Sequence, residues 1–313
     1  MLTVHLALVS QTTRISHDEL LAVAGALQRQ LTRDFGPHWG IDGTVQPFAQ
    51  LRDVPTGYWP IVVRDDLQRP GVIGLHLDDH GQPTALVQHT NVWSLAASHE
   101  MLEMLADPYG NRLVQGGSLM RGQGVVEHLL EVADPVNTTE AAYVVNGVLV
   151  SDFVTPAFWS HPAPVPGATY SFTGAATRPR DPILGGYMAW FEPIRGQWWQ
   201  AYRGPNGLEF SRLGRTSGAA LGLRRSIDDD HAPAELRLGV SPDHPKLAMA
   251  AGQRESFMQA GAARAVVWQR QIDALVGPSD ARRSRGPGGE TGRRFGGMKA
   301  HLPKPAGPGS GVA

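Results

Sequence analysis

The chain has 313 residues, of which 42% are apolar and 18% charged, enough for one large domain or two small ones with their own cores. Its formal net charge of -1 at pH 7 gives no overall field that would attract nucleic acid or an anionic membrane surface. The absence of cysteine excludes disulfides, thiolate metal sites and a cysteine nucleophile, so a bound metal needs His, Asp or Glu ligands.

The N-terminal segment Met1–Ser10 is apolar but has no basic region before it, so it predicts a buried strand and not a signal peptide. No stretch is long enough to span a membrane. We therefore expect a cytoplasmic protein without a membrane partner. The sequence does not indicate an oligomeric state.

The first hundred residues predict a strand, a helix and four more strands. Leu2–Ser10 is β-rich, and Ser16 begins a capped amphipathic helix that runs to about Phe35. Turn signals separate the further strands, and Asp79-His80-Gly81 predicts a hairpin between the last two. These strands are Gly43–Phe48, Trp59–Arg64, Val72–Leu77 and Thr84–His89. A helix over Val92–Leu105, capped by Thr90-Asn91, follows them.

The rest of the chain is predicted to be richer in strands and loops. The predicted elements are a Gly-rich loop at Gly110–Gly124, strand-like segments at Val125–Val132, Tyr143–Val150 and Ser151–Phe158, a hairpin of Gly185–Phe191 with Gln197–Tyr202, and a helix at Leu247–Val276. The fold class is therefore α+β. We expect a metal-binding domain over 1–160, a β-rich extension over 161–215, an irregular segment and C-terminal helix over 216–276, and a disordered basic tail over 277–313.

The helix at Val92–Leu105 carries a pattern typical of metal sites. His99 and Glu103 are four residues apart, so they lie on one helix face and can reach one ion. Glu100 points in a neighbouring direction, where it can act as general base. Zinc metalloproteases place His at both ligand positions, and here Glu103 replaces the second His. In the alternative interpretation, the polar side chains lie on the solvent face of an amphipathic helix.

A catalytic zinc site uses three protein ligands, so a further group is needed. Glu131 and Asp134 are the candidates, because both carboxylates lie in an apolar stretch where an acidic group is costly unless paired or coordinated. One of them can bind the metal while the other orients His99. His128 is a weaker candidate, because strand alternation places it on the opposite face from Glu131.

The order of these elements resembles the N-terminal half of the zincin metallopeptidases, in which a helix carrying His-Glu follows an edge strand. The pair of motifs at 99–103 and 131–134 is also similar to the His-Glu-x-x-Glu and Glu-Ile-x-Asp pattern of exordium-like proteins and their bacterial relatives. The resemblance covers about residues 1–200. It implies a zincin-like mixed sheet with an active-site helix, with His99, Glu103 and either Glu131 or Asp134 as zinc ligands and Glu100 as base.

The resulting hypothesis is a zinc-dependent, peptidase-like hydrolase acting on peptides or proteins, although another divalent ion can fill such a site. The alternative is a non-catalytic binding or assembly protein, in which the same residues hold a structural ion or form a hydrogen-bond network. Nucleic acid is not expected as a partner, except that the arginines of the basic tail could bind it. We interpret this tail as a solvated terminus. Tyr187 and His161 are candidate oxyanion stabilisers, and the structural interpretation of both is favoured.

Overall fold

The computed structural model describes residues 3–69, 72–160, 162–215 and 240–276 and has an α+β fold. The strands are β1 Thr3–Ser10, β2 Asp42–Phe48, β3 Trp59–Arg64, β4 Gly74–Asp79, β5 Gln82–Gln88, β6 Leu113–Gly117, β7 Val125–Leu129, β8 Tyr143–Val145, β9 Val148–Val150, β10 Tyr187–Glu192, β11 Gln197–Gly204 and β12 Gly207–Gly214. The helices are α1 His17–Arg29, α2 Gly36–Trp39, α3 Trp93–Ala106, α4 Pro156–Ser160 and α5 Pro245–Val276, with a π-helical turn at Gln30–Phe35 and 3₁₀ turns at Leu51–Asp53 and Asp134–Val136.

The N-terminal sheet is a mixed sheet with the strand order β2-β1-β3-β5-β4. Strand β1 is parallel to β2 and β3, and β3 is parallel to β5, whereas edge strand β4 is antiparallel to β5. The predicted hairpin turn between β4 and β5 is confirmed. His80 and Gly81 both have positive φ, 54° and 86°, which is the backbone twist that two-residue hairpins favour.

The first helix begins and continues as the sequence predicts. Ser16 is its N-cap, and the side chain of Ser16 accepts a hydrogen bond from the backbone N–H of Glu19. The π-helical turn Gln30–Phe35 extends it to the predicted end. The core lies between these helices and the sheet, because alternate residues of β1 and β3 and the apolar faces of α1 and α3 form one buried cluster.

The second sheet is antiparallel and has the order β12-β11-β10-β7-β6. The predicted hairpin of β10 and β11 is confirmed, but the Gly-rich segment Gly110–Gly124 was wrongly expected to be only a loop. It contains β6, which pairs with β7 along five residues. The prediction of a strand over Ser151–Phe158 is also wrong. Only Val154 makes an isolated bridge there, and Pro156 begins α4, because proline is well suited to the first helical turn.

The chain divides into two compact units, Met1–Gly261 and Ala262–Ala313. All of the strands belong to the first unit. The described part of the second unit is the end of α5, whose apolar side chains are largely exposed: Val266, Val267, Trp268, Ile272 and Leu275. The predicted basic tail over 277–313, most of the irregular segment before α5, and His161 lie outside the described residues. None of the helices within the described ranges combines the length and apolar character needed to cross a bilayer.

One buried histidine makes the stability of the second sheet sensitive to pH. The pKa of His128 is lowered to about 4, because burial and, to a smaller extent, the charge of Arg180 outweigh the hydrogen bond from Nε2 to the carbonyl oxygen of Gly117 at 3.2 Å. The unfolded chain therefore takes up this proton first as the pH falls. We expect this group alone to remove about 3 kcal/mol of unfolding free energy between pH 6.5 and pH 4.

Denaturant unfolding at a series of pH values checks this expectation with the substitution His128→Gln. The glutamine amide can still donate to Gly117 but does not titrate, so the variant is expected to lose less stability in acid than the unchanged chain. His17→Gln is the control, because His17 is exposed at the start of α1. Equal acid sensitivity of the His128→Gln variant and the unchanged chain would contradict the assignment.

Candidate metal centre

The predicted motif lies on helix α3, in the interior of the protein. His99, Glu100 and Glu103 are 8%, 6% and 1% exposed, so the interpretation of these residues as a solvent-facing helix side is wrong. The helix contacts β3, β4 and β5 on one side and β9 on another, which buries it almost all round. Three ionisable groups at such depth are costly unless they are paired or coordinate a metal.

A buried hydrogen-bond network fixes the rotation of α3 next to the motif. The hydroxyl of Ser98 donates to Oε1 of Gln30 at 2.7 Å and accepts from the backbone N–H of Ser151 at 2.9 Å. Nε2 of Gln30 in turn donates to the carbonyl oxygen of Ser151 at 2.9 Å. Ser98 is therefore a structural residue that connects α3 to the π-helical turn and to the segment after β9.

The 3₁₀ turn Asp134–Val136 brings the second half of the site to α3. The backbone N–H groups of Ala133 and Asp134 both donate to Oε1 of Glu103, at 3.3 and 3.2 Å. Gly186 lets the start of β10 approach this turn, because a Cβ there would lie 2.2 Å from the carbonyl oxygen of Pro135. The carboxylate of Glu103 therefore positions the loop that carries Asp134.

Three side chains meet where these elements converge. Nε2 of His99 lies 3.1 Å from Oδ1 of Asp134 and 3.4 Å from Oε1 of Glu103, and one ligand atom from each residue falls within 4.8 Å of the others. Ligand atoms bound to one zinc ion at 2.0–2.2 Å in a tetrahedral shell are about 3.3 Å apart. One nitrogen and two carboxylate oxygens at these distances form a group that could hold a metal ion, and zinc accepts such ligands.

The sequence left Glu131 and Asp134 as alternative third ligands, and the structure brings only Asp134 into this group. Glu131 is also buried, at 2% exposure, but it belongs to neither of the two groups of possible ligands found among the described residues. Glu131 lies between the end of β7 and the 3₁₀ turn that begins at Asp134. His128, the weaker candidate, instead bonds to Gly117 in the second sheet.

Sequence reasoning missed His76, which belongs to the second of these groups. His76 lies on β4 and is 2% exposed, and its Nδ1 is 3.5 Å from Oε2 of Glu100 and 3.7 Å from Oε2 of Glu103. The available signal was a lone histidine inside an apolar strand candidate shortly before the motif helix. Such a residue is more often a satisfied core histidine, so the pattern alone did not select it.

The charges around His99 set its protonation state. Burial by itself lowers the pKa of His99, but the negative charge of Glu103, the hydrogen bond to Asp134 and the charge of Glu100 outweigh this effect and raise the pKa well above its ordinary value. A cation is therefore favoured at this nitrogen. A proton and a metal ion compete for the same position, because a metal binds the deprotonated imidazole.

The motif faces a small cleft with a cavity volume of roughly 30 Å³, which has room for a water molecule. Helix α3 supplies half of the residues that line it, and the segment that leads into edge strand β4 supplies most of the others. Glu100 lines this cleft together with Tyr187, one of the two candidate oxyanion stabilisers, which is 4% exposed on β10. The remaining lining residues are Val72, Ile73, Gly74, Leu95, Ala96, His99, Glu103 and Asn137.

Gly74 gives Glu100 its place at the cleft wall. A Cβ at this position would lie 2.4 Å from Oε1 and 2.9 Å from Cγ of Glu100, so any side chain there must displace the carboxylate. We expect Gly74→Ala to lower the hydrolysis proposed below by about 100-fold, because small misplacements of a reacting group have effects of this size.

Turnover of a peptide mixture checks this expectation, with Gly117→Ala on β6 as the matched control. A Cβ at Gly117 meets nothing within 4 Å, so that variant is expected to hydrolyse peptides at the rate of the unchanged chain. Equal rates in the two glycine variants would show that contact with Gly74 does not position Glu100.

Comparisons of this chain with protein families, curated proteins and solved structures found no match.

Proposed function

We propose that this chain is a metal-dependent, peptidase-like hydrolase in which His99, Glu103 and Asp134 hold a zinc ion and Glu100 is the general base. The observation that carries the proposal is the convergence of these buried side chains at ligand spacing beside the cleft. Buried carboxylates facing an imidazole are the arrangement in which coordination offsets the cost of desolvation.

The order of elements supports a zincin-like fold for the first half of the chain. A mixed sheet ends in antiparallel edge strand β4, and α3, which carries the His-Glu motif, follows β5 directly. The succession of a strand, a helix, further strands and the motif helix is the one that the zincin resemblance implies, but β5, the strand before α3, is an inner strand and not the edge strand. The departure from that family is Glu103 at the second ligand position, where a carboxylate replaces the histidine.

Each residue has a separate chemical task in the proposed reaction. A bound zinc ion supplies Lewis acidity and lowers the pKa of a water molecule. Glu100, at the cleft wall, accepts the proton of the attacking water and can return it to the leaving amine. Glu103 and Asp134 neutralise part of the metal charge, so we expect a weaker Lewis acid than a site with two histidines provides.

The substrate proposed for this site is a peptide or protein segment. The cleft is lined by apolar Val72, Ile73 and Leu95 around a few polar groups, and it has room for a reacting water molecule next to Glu100. Tyr187 lines the same cleft from β10 and is a candidate donor to the developing oxyanion.

Hydrolysis of a mixed peptide library by the full chain tests the proposal. We expect cleavage that a chelator such as 1,10-phenanthroline removes and that added Zn²⁺ restores. Cleavage that is insensitive to the chelator, or no cleavage by chain shown to be loaded with metal, would contradict it.

The second candidate is a non-catalytic binding or assembly protein with the same residues in a structural role. The distance of 3.1 Å between Nε2 of His99 and Oδ1 of Asp134 favours it, because that distance also suits a hydrogen bond. If the chain binds metal but cleaves no peptide, the residues hold a structural ion. If it binds no metal, they form only a hydrogen-bond network.

A further inference from the structure

The two groups of possible ligands share one residue. Oε1 of Glu103 faces His99, at 3.4 Å from Nε2, and Oε2 of Glu103 faces His76, at 3.7 Å from Nδ1. The two oxygens of this carboxylate are therefore directed at two different imidazoles. A carboxylate in this position can bridge two ions, as in metal pairs that lie about 3.5–4 Å apart.

The hydrogen bond on the far side of His76 fixes its tautomer. Nε2 lies 3.1 Å from the carbonyl oxygen of Asp107, and because a carbonyl oxygen only accepts, Nε2 carries a hydrogen. In the neutral imidazole, Nδ1 then presents a lone pair to the carboxylates of Glu100 and Glu103. Three electron-rich atoms facing one another require a positive charge between them.

The distances favour a metal ion over a proton as that charge. A charged hydrogen bond from Nδ1 would bring a carboxylate oxygen to about 2.7–2.9 Å. The observed separations are 3.5 Å to Glu100 and 3.7 Å to Glu103, close to the spacing of about 3.3 Å between ligands of a shared ion.

The depth of the carboxylates points in the same direction. Glu100, Glu103 and Asp134 are all at most 6% exposed, and acidic groups at this depth are costly unless they are paired or coordinate a metal.

We propose that the site binds a second divalent cation through Nδ1 of His76, Oε2 of Glu100 and Oε2 of Glu103, with Glu103 bridging the two ions. The inference deepens the function proposed above and rests on it. It makes the site a two-metal centre, in which the ions together stabilise the attacking and leaving atoms. The two oxygens of Glu100 have separate roles, because Oε2 faces His76 while Oε1 lies beside Gly74 and remains the proton acceptor.

The number of bound ions per full-length chain tests the second site. Chain stripped with a chelator is titrated with Zn²⁺, and separately with Mn²⁺, by calorimetry, and the loaded chain is desalted for elemental analysis. We expect two equivalents for the unchanged chain and for the control His17→Ala, whose exposed imidazole lies on α1. His76→Gln is expected to bind one equivalent, because its amide can still donate to Asp107 but lacks the Nδ1 ligand.

The outcomes separate the second site from the proposed function. One equivalent in the unchanged chain that His99→Ala loses and His76→Gln retains would overturn the second site and leave the first intact. Two equivalents in His76→Gln would overturn the role of His76. The absence of bound metal would overturn both. Circular dichroism and the melting temperature of each variant without metal show whether the fold is retained, and His76→Asn is used in place of His76→Gln if the latter fails to fold.

Discussion

Replacing Glu100 with glutamine is expected to lower peptide hydrolysis by on the order of 10³-fold while the chain keeps at least one equivalent of metal. Glutamine preserves the size of the side chain but cannot accept the proton of the attacking water, and general base catalysis contributes about 10²–10⁴-fold to a rate. Glu100 does not contribute to the group of His99, Glu103 and Asp134, so that ion stays bound. Turnover of a peptide mixture and elemental analysis of the same preparation measure the two effects.

A matched control for this substitution is Glu19→Gln in α1. Glu19 accepts a hydrogen bond from the indole of Trp93 and does not line the cleft, so this change should leave hydrolysis unaltered. If Glu100→Gln retained full activity, Glu100 would have no place in the mechanism. If it lost all metal as well as activity, Glu100 would be an essential ligand of the first ion.

Replacing Asp134 with asparagine is expected to weaken the binding of the ion at His99 by more than about 100-fold. Loss of a group that only supports a metal ligand costs 10–100-fold, and the loss of a charged ligand exceeds this. The measurement is a competition titration against a chromophoric zinc chelator. The same titration of Glu131→Gln should give less than about a ten-fold change, because Glu131 lies outside the ligand group.

This pair of variants decides a choice that the sequence left open. The two residues are three positions apart, acidic and almost equally buried, so general effects of removing a buried carboxylate are similar in both. A larger loss of affinity in Glu131→Gln than in Asp134→Asn would reverse the assignment of the third ligand.

The first half of the fold was predictable because its signals are local. Ser16 at a helix start and the Asp79-His80-Gly81 turn each determine structure through nearby atoms, and the structure has both features. Strand β6 was missed because a segment rich in glycine is typical of a loop. The residues of β6 alone do not indicate that it pairs with β7. The strand expected over Ser151–Phe158 was wrong because the helix-starting effect of Pro156 outweighed its apolar pattern.

The site residues on α3 could be predicted from the sequence, but the residues that other elements bring to the site could not. Helical spacing alone places His99 and Glu103 on one face, so these residues were found from the sequence. His76 comes from an edge strand of a sheet whose order β2-β1-β3-β5-β4 no local pattern reveals. The preference for Asp134 over Glu131 depends on a 3₁₀ turn held by Glu103, which is a tertiary contact.

The metal content of the purified full chain tests the central claim most directly. Elemental analysis after dialysis against metal-free buffer is predicted to find at least one equivalent of a divalent transition metal in the unchanged chain. The same analysis should find a clear loss in His99→Ala and no loss in His17→Ala. Absence of stoichiometric metal from the unchanged chain, even after incubation with Zn²⁺, or equal metal content in all three proteins, would contradict a metal centre built on His99.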